Sequence, residues 1–231
     1  MKSYTCKLRE VADPLWEQEK NHPLVTGIGD GSLPLEIFAN YLKQDYVFLI
    51  EFARVISIAV TKSEEIDSMA WFSTLLNETL NSEMDLHVSF CKDFSITLDE
   101  LKGTKMSPTT YEYTNHLMTV AQKGETLEIA TAILPCMWGY SEIGKHLHEQ
   151  GLPQKNDLHA KWIEMYSSDE FAELTTWIRN YIDECVTTQP KSRLTKLESI
   201  FLTSSVYEGK FWEAAYNLET WDDPTENLII S

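Results

Sequence analysis

The sequence predicts an all-α, single-domain helical bundle, and three observations predict it. Almost every segment spaces its apolar residues three or four positions apart, as on one helix face, and no segment alternates as a strand does. Only 9 Gly and 8 Pro occur among 231 residues, which argues against a turn-rich all-β fold. No fixed-period repeat or low-complexity linker divides the chain, so we expect one domain over 1–231.

The first part of the chain predicts three helices separated by short breaks. Pro14 is expected to bend or restart the first, because proline inside a helix removes a hydrogen bond. Ser63 is expected to cap the third, since its hydroxyl can accept a backbone N–H and acids follow in the first turn. The predicted elements are a helix over 5–21, a loop over 27–34, a helix over about 35–60 and a helix from Ser63 to about Phe90.

The second part predicts a loop over 95–107 and then five helices. Ser107-Pro108 opens the first of these, because proline suits the first helical position. Pro135 is expected to kink the second, and Gly151 stops it. The very apolar segments are expected at the centre of the bundle. The predicted helices cover about 108–123, 126–150, 157–166, 168–187 and 191–219, and the tail from Trp221 is expected to dock or fray.

Composition and charge exclude several classes of function. The chain has 36 acidic and 19 basic residues and a net charge of -17, whereas nucleic-acid binding needs a basic face. The same charge argues against an anionic membrane surface, and no stretch is apolar enough for a membrane span. Four cysteines without paired spacing, and an opening segment without an apolar signal core, lead us to expect a cytoplasmic protein with reduced thiols.

One thiol lies in a very apolar helix. Cys136 is part of ILPCMWGYSEIGKHL, with Tyr140 four residues further on and therefore on the same helix face. The preceding proline frees a backbone carbonyl and interrupts regular packing, and pockets form at such positions. Cys136 is thus a candidate nucleophile, although a lone cysteine here is also compatible with a small buried hydrophobic residue, and Tyr140 with a core tyrosine.

Two carboxylates lie in apolar helices as well. Glu208 shares one stripe, at three- and four-residue spacings, with two serines and three aromatic residues, which predicts that it is buried. Burial raises the pKa of a carboxyl, which suits a general acid or base. Asp45 lies in NYLKQDYVFLIEFAR and needs partners if buried. Those partners are either Lys43, Arg54 or a tyrosine hydroxyl, or else the amino group of a ligand.

Two carboxylate–histidine pairs keep a metal-dependent alternative open. Glu83 and His87, and also Glu142 and His146, stand four residues apart on different helices, as in a helical di-iron oxygenase. The familiar spacing in such sites is three residues, and the last long helix offers glutamates but no histidine, so the ligand set is incomplete. No Gly-rich phosphate loop or dinucleotide fingerprint occurs.

Five segments together resemble the thiaminase II (TenA) family, in the order that the family has them. They are LPLEIFANYLKQDYVFLIEFAR, SPTTYEYTNHL, ILPCMWGYSEIG, WIEMYSSDEF and FLTSSVYEGKFWEAAY. The resemblance implies the heme-oxygenase-like all-helical fold without heme, no metal or other cofactor, and a homotetramer. Cys136 is typical of the cysteine-bearing branch, since a second branch of the family lacks this residue.

The resemblance also implies a role for each site residue. Cys136 matches the family's nucleophile, Glu208 its acid/base, and Asp45 the carboxylate that binds a pyrimidine ring nitrogen and amino group. Phe48 stands where many members have a tyrosine, and the lost hydroxyl is expected to weaken one substrate contact or change substrate preference. The other substrate-binding residues that the resemblance implies are Tyr113, Tyr140, Tyr166 and Phe211.

The implied reaction is hydrolysis of 4-amino-5-aminomethyl-2-methylpyrimidine to the 5-hydroxymethyl pyrimidine, and also of thiamine to the pyrimidine plus the thiazole, in thiamine salvage. Cys136 would add to an electron-poor ring carbon while Glu208 protonates a ring nitrogen. Two alternatives stay open at this point. One is the metal-dependent oxygenase on the same fold, and the other is a non-catalytic helical protein that holds pyrimidines or a regulatory partner.

Overall fold

The computed structural model describes residues 2–93, 96–154 and 157–221, and every regular element in these ranges is helical. The all-α prediction is therefore confirmed, while the predicted tail beyond Trp221 lies outside the described residues. A π-helix (Glu78–Glu83) joins α4 to α5, and a 3₁₀ turn (Val186–Thr188) follows α10. The α-helices are α1 (Tyr4–Lys20), α2 (Pro23–Asp30), α3 (Leu35–Lys62), α4 (Ile66–Asn77), α5 (Met84–Asp93), α6 (Leu98–Lys102), α7 (Pro108–Lys123), α8 (Thr126–Gln150), α9 (Asp157–Ser167), α10 (Asp169–Cys185) and α11 (Lys191–Tyr216).

The long helices α3, α8 and α11 form the centre of the bundle, as their apolar sequences predict. α11 packs on both α8 and α3, α1 lies on α11, α9 and α10 cover α8, and α4 and α7 flank α3. The candidate residues Asp45, Cys136 and Glu208 lie on these three central helices. None of the helices that the structure describes is long and apolar enough to cross a membrane.

Several helix boundaries follow the local rules. The Ser107 hydroxyl accepts a hydrogen bond from the Thr110 N–H at 3.2 Å, and Pro108 occupies the first turn of α7, as predicted. Ser168 caps α10 in the same way through the Phe171 N–H. α1 and α8 each run through their internal proline as one helix, so the chain does not restart at Pro14.

Three boundary predictions are wrong. Ser63 ends α3 instead of opening the next helix, because its hydroxyl donates to the Ala59 carbonyl at 2.8 Å; the next helix begins after Glu65. The first part of the predicted 27–34 loop belongs to α2, which Pro23 begins at its first turn and Gly31 ends with φ of 75°. The predicted 95–107 loop contains α6, because Thr97 and Glu100 form a reciprocal capping box.

A glycine brings α8 and α9 unusually close. A Cβ atom placed on Gly144 would lie 2.5 Å from the carbonyl carbon of Tyr166, well inside contact distance. Only a residue without a side chain allows this approach. It holds the end of α9, and with it Tyr166, against the middle of the bundle, where the cavity described next is found.

Candidate active site

A cavity of about 700 Å³ lies between α3, α4, the π-helix, α8, α9 and α10. Five of the eight site residues expected from the sequence line it, and they come from three different helices. Such a cavity, apolar with a few convergent polar groups, is the usual form of a small-molecule site. The five residues are Asp45, Phe48, Cys136, Tyr140 and Tyr166.

The other three expected residues, Tyr113, Glu208 and Phe211, are buried and are not among the residues that line the cavity. The Phe48 ring contacts two of them, with its centroid 5.0 Å from that of Tyr113 and 5.8 Å from that of Phe211. Phe211, expected to stack on a substrate, therefore packs against Phe48 and Tyr41 in this structure. The charge of Glu208 acts on the Cys136 thiol of the cavity wall.

The Cys136 thiol is half-buried on the cavity wall and surrounded by carboxyl groups. Burial raises the pKa of the thiol well above its ordinary value, and the charges of Glu208, Glu83 and Asp45 raise it further. The thiol therefore holds its proton in the resting protein. Attack by sulfur then requires a proton acceptor at that moment, and three carboxyl groups are near enough to influence it.

Glu208 is a buried acid held by a phenol. The Tyr113 hydroxyl donates to its Oε1 at 2.5 Å, across the contact between α7 and α11. Burial raises the pKa of Glu208 to about 8; the Tyr113 bond works against this rise and the Asp45 charge adds to it. Glu208 is therefore protonated at neutral pH and able to donate, as a general acid must.

Asp45 makes its strongest contact with a residue that the sequence had placed in a metal pair. The His87 Nε2 lies 2.6 Å from Asp45 Oδ2, and the His87 Nδ1 lies 2.9 Å from the Glu83 carbonyl oxygen. Both partners are acceptors, so the ring donates from both nitrogens and is cationic. Burial lowers the pKa of His87, but the charges of Asp45 and Glu83 and the hydrogen bonds to both residues together outweigh it, so the net shift is upward. The Tyr41 hydroxyl completes the set at 3.4 Å.

Glu83 is a second residue that the sequence reasoning did not place in the pyrimidine site. It is the last residue of the π-helix, it lines the cavity, and its Oε1 accepts from the Tyr166 hydroxyl at 3.1 Å. Burial raises the pKa of Glu83 to about 7. The neighbouring His87 charge opposes this rise, and the Asp45 charge adds to it. The i,i+4 spacing of Glu83 and His87 is the available signal, and from sequence it supports only the metal-dependent alternative, with an incomplete ligand set.

The other carboxylate–histidine pair has different partners. Glu142 accepts from Arg9 Nε and Nη2 at 3.2 and 3.0 Å, and the His146 Nε2 lies 2.9 Å from the Gln150 amide. Neither residue lines the cavity, so the two pairs do not converge as the di-iron alternative requires. Within the described ranges, no group of three or more His, Cys, Asp or Glu is arranged as metal ligands.

Flat aromatic rings form the inner end of the cavity. Tyr140 stacks on Trp212 with centroids 5.0 Å apart and lies 4.8 Å from Tyr166, centroid to centroid. The Trp162 indole N–H donates to the Tyr41 hydroxyl at 3.1 Å, which links this aromatic group to Asp45. Rings fixed in this way leave a slot for a flat, partly polar ligand.

The solvent-exposed end of the cavity carries acidic side chains. Glu78 from the π-helix and the exposed Glu170 and Glu173 from α10 line the cavity. Trp71 and Trp177, which also line it, stack in parallel with centroids 3.9 Å apart. The charge of these carboxylates favours a cationic substituent on the flat ligand.

The fold and this site define an all-helical protein that brings a thiol, a neutral acid and a histidine-paired aspartate together at one aromatic cavity. The chain belongs to the TENA/THI-4/PQQC family, whose model matches residues 9–218. It is 42% identical over 222 residues to the aminopyrimidine aminohydrolase of Halalkalibacterium halodurans, covering 95% of this chain and 98% of that one. It is 36% identical to the aminopyrimidine aminohydrolase of Bacillus subtilis, covering 95% and 92%.

Solved structures agree on the architecture. A TenA homologue from P. horikoshii OT3 is 30% identical, with a TM-score of 0.86 over 94% of this chain and 99% of that one. Heme oxygenase 2 from Chlamydomonas reinhardtii is 15% identical, with a TM-score of 0.65 over 92% and 97%, and it shows the fold alone. The expected heme-oxygenase-like fold and TenA relationship are therefore confirmed, while one domain over all of 1–231 stays a prediction.

Proposed function

We propose that this protein is an aminopyrimidine aminohydrolase of thiamine salvage, a hydrolase that cleaves a C–N bond. The observation that carries the proposal is the pairing of the Cys136 thiol with the neutral acid Glu208 beside one aromatic cavity. Relatives with this name at 42% and 36% identity over most of the chain support it. The substrate is 4-amino-5-aminomethyl-2-methylpyrimidine and the product its 5-hydroxymethyl counterpart.

Asp45 recognises the pyrimidine. Both hydrogen bonds that it makes within the described residues go to Oδ2, from His87 and Tyr41, so Oδ1 is available to a ligand in the cavity. An ionised carboxylate accepts well from an exocyclic amino group. The rings of Tyr140, Tyr166 and Phe48 bound the slot that the pyrimidine enters.

The reaction proceeds by addition and elimination at sulfur. The Cys136 thiol gives its proton to a neighbouring carboxylate and forms a C–S bond to the ring, while Glu208 gives its proton to the ring nitrogen that receives the electron pair. The C–N bond then breaks, and the amine leaves with the electron pair of that bond and with the proton that the carboxylate received from sulfur. Water adds to the carbon that lost the amine and gives a proton to the same carboxylate. The C–S bond then breaks with its electron pair on sulfur, and the proton of the ring nitrogen passes to sulfur, which restores the thiol and the ring. Glu208 regains its proton from solvent, and the other carboxyl releases the proton that it took from water.

Cys136→Ala tests the nucleophile. The variant is expected to form no hydroxymethyl pyrimidine, followed by chromatography, while its circular dichroism keeps the helical signal of the native protein. Retained turnover in the alanine variant would remove Cys136 from the mechanism. Tight pyrimidine binding by the native protein without product formation would instead support the non-catalytic alternative.

The leaving group, assembly and location are further parts of the proposal. The acidic end of the cavity supports acceptance of thiamine, whose leaving thiazolium is cationic. A homotetramer is proposed from the family resemblance, and light scattering at working concentration tests it. A cytoplasmic location fits the three free thiols among the described residues, Cys6, Cys136 and Cys185.

A further inference from the structure

A buried carboxyl that the mechanism does not use lies behind Glu208. Glu19, on α1, is only 4% exposed, and its Oε1 has no hydrogen-bond partner within the described residues. Buried polar atoms are nearly always paired, so an unpaired carboxyl oxygen at such a position calls for a functional explanation.

Two glycines flank this carboxyl. A Cβ atom on Gly139 would lie 3.9 Å from Glu19 Oε2, and one on Gly209 would lie 4.0 Å from Oε1. Gly139 precedes Tyr140 on α8, and Gly209 follows Glu208 on α11. No side chain of either glycine therefore stands between the Glu19 carboxyl and the two helices that carry the catalytic groups.

The same residue lies on the wall of a second cleft. Glu19 lines an outer cleft of about 330 Å³ that shares no lining residue with the Cys136 cavity. The cleft has Ser205 and Gly209 on its wall and the exposed pair of His22 and Glu213 at its rim, with His22 Nε2 2.9 Å from Glu213 Oε2. Glu19 thus lines a cleft outside the Cys136 cavity, and the charge of the buried Glu208 acts on it.

Charged groups on three helices act on Glu19. Burial raises the pKa of Glu19 well above its ordinary value, and the charges of Glu208 on α11 and Glu142 on α8 raise it further. The charges of Arg9 and Lys20, on α1 itself, lower the pKa in part. Glu19 in turn raises the pKa of Tyr113, the phenol that donates to Glu208. The two carboxyls and the phenol therefore form one coupled group.

We infer that Glu19 is a proton-relay residue that connects Glu208 to the solvent of the outer cleft. The inference rests on the proposed function. Glu19 gives its proton to the Glu208 carboxylate, and the Glu19 carboxylate then takes a proton from hydronium in the cleft, leaving water. The reverse transfers remove a proton. Glu208 is 3% exposed and does not line the substrate cavity, so this route restores its proton while the pyrimidine fills that cavity.

Glu19→Gln tests the relay, because glutamine keeps the size and neutrality of the protonated acid but transfers no proton. We expect kcat to fall about tenfold, less than the ~100-fold loss of an acid that touches substrate. KM and Tm should stay native, and the solvent isotope effect on kcat should rise. A purely structural role would move Tm and leave the isotope effect alone.

Glu19→Ala provides a second test. Removing the carboxyl leaves a space that formate can enter from the cleft, and formate can then transfer the proton in place of Glu19. Formate should therefore restore part of the lost kcat in this variant and should not change kcat in the native protein. Glu213→Gln, an exposed acid on the rim of the same cleft, is the matched control and should keep native kcat.

The outcomes are separable. Native kcat and isotope effect in Glu19→Gln, or no formate rescue of a slowed and folded Glu19→Ala, would overturn the relay and leave the aminohydrolase intact. No product from the native protein would overturn the proposed function, and the relay with it.

Discussion

His87 and Asp45 form a buried ion pair, with Nε2 2.6 Å from Oδ2, between α5 and α3. Both side chains are almost fully buried, at 0% and 6% exposure. Both hydrogen bonds of Asp45 within the described residues go to Oδ2, and Asp45 lines the cavity. If Asp45 binds the pyrimidine as proposed, recognition depends on His87, whose two ring nitrogens both contact protein groups.

His87→Gln is expected to weaken both stability and binding. Removing one partner leaves a buried charge without compensation, which costs about 3–5 kcal/mol. Urea unfolding should show this loss, and calorimetric titration should show weaker binding of the aminopyrimidine. In the double variant with Asp45→Asn the stability loss should be smaller than in His87→Gln alone, because no charge is then left unpaired. Equal losses in both would contradict the ion pair.

Glu208 makes the native protein less stable as the pH rises. Its pKa is about 8 in the fold and 4.5 in the unfolded chain, so between these values the fold binds more protons. The free energy of unfolding therefore falls with pH in that window, by up to about 1.4 kcal/mol per pH unit from this group. Glu83 and His87 have raised pKa values and act in the same direction.

Glu208→Gln should flatten that dependence. The neutral amide does not titrate, so the variant is expected to lose turnover yet to exceed the native protein in stability above pH 8. Urea unfolding at pH 5, 6, 7 and 8 measures the slope. Glu213→Gln removes an exposed carboxyl and should leave the slope nearly native; a steep native-like slope in Glu208→Gln would refute the raised pKa.

The fold was predictable from the sequence to the extent that helix periodicity and caps decide it. Ser107-Pro108 is a local signal, and the structure follows it. Ser63 carries the same kind of signal, but its hydroxyl bonds backward to Ala59, and sequence alone does not tell the two uses apart. The π-helix before Met84 has no signal in the periodicity, since one extra residue in a turn leaves the apolar spacing nearly unchanged.

The candidate site was predictable where the residue type itself is unusual for its surroundings. Cys136 and Glu208 in apolar helices are such cases: the structure places Cys136 on the cavity wall and buries Glu208, whose charge acts on that thiol, while their catalytic roles stay a prediction. The sequence places His87 and Glu83 only in the metal-dependent alternative, because spacing shows which residues share a helix face and not which side chains face them from α3 and α9. Contacts between side chains on different helices become visible only in the folded structure.

Tyr113→Phe should move the alkaline limit of activity. The Tyr113 hydroxyl stabilises the Glu208 carboxylate and holds its pKa down, so removing the hydroxyl raises that pKa above about 8. If turnover needs protonated Glu208, the alkaline limb of kcat/KM shifts to higher pH, and kcat falls because the acid is weaker and less well positioned. Tyr207→Phe, whose ring stacks on Tyr113 at 5.4 Å, is the control and should leave the limb in place.

Gly144→Ala should disturb the site without touching a catalytic group. The added methyl would lie 2.5 Å from the Tyr166 carbonyl carbon, so α9 must move away from α8. Overpacking of this kind costs about 1–3 kcal/mol. The Tyr166 hydroxyl, 3.1 Å from Glu83 in the native fold, would be displaced, so KM for the aminopyrimidine should rise together with the loss of Tm.

Gly139→Ala, whose methyl has ordinary contact distance of 3.9 Å to its nearest neighbour, is the stability control. A Gly144→Ala protein with native Tm and KM would show that the α8–α9 contact does not position Tyr166.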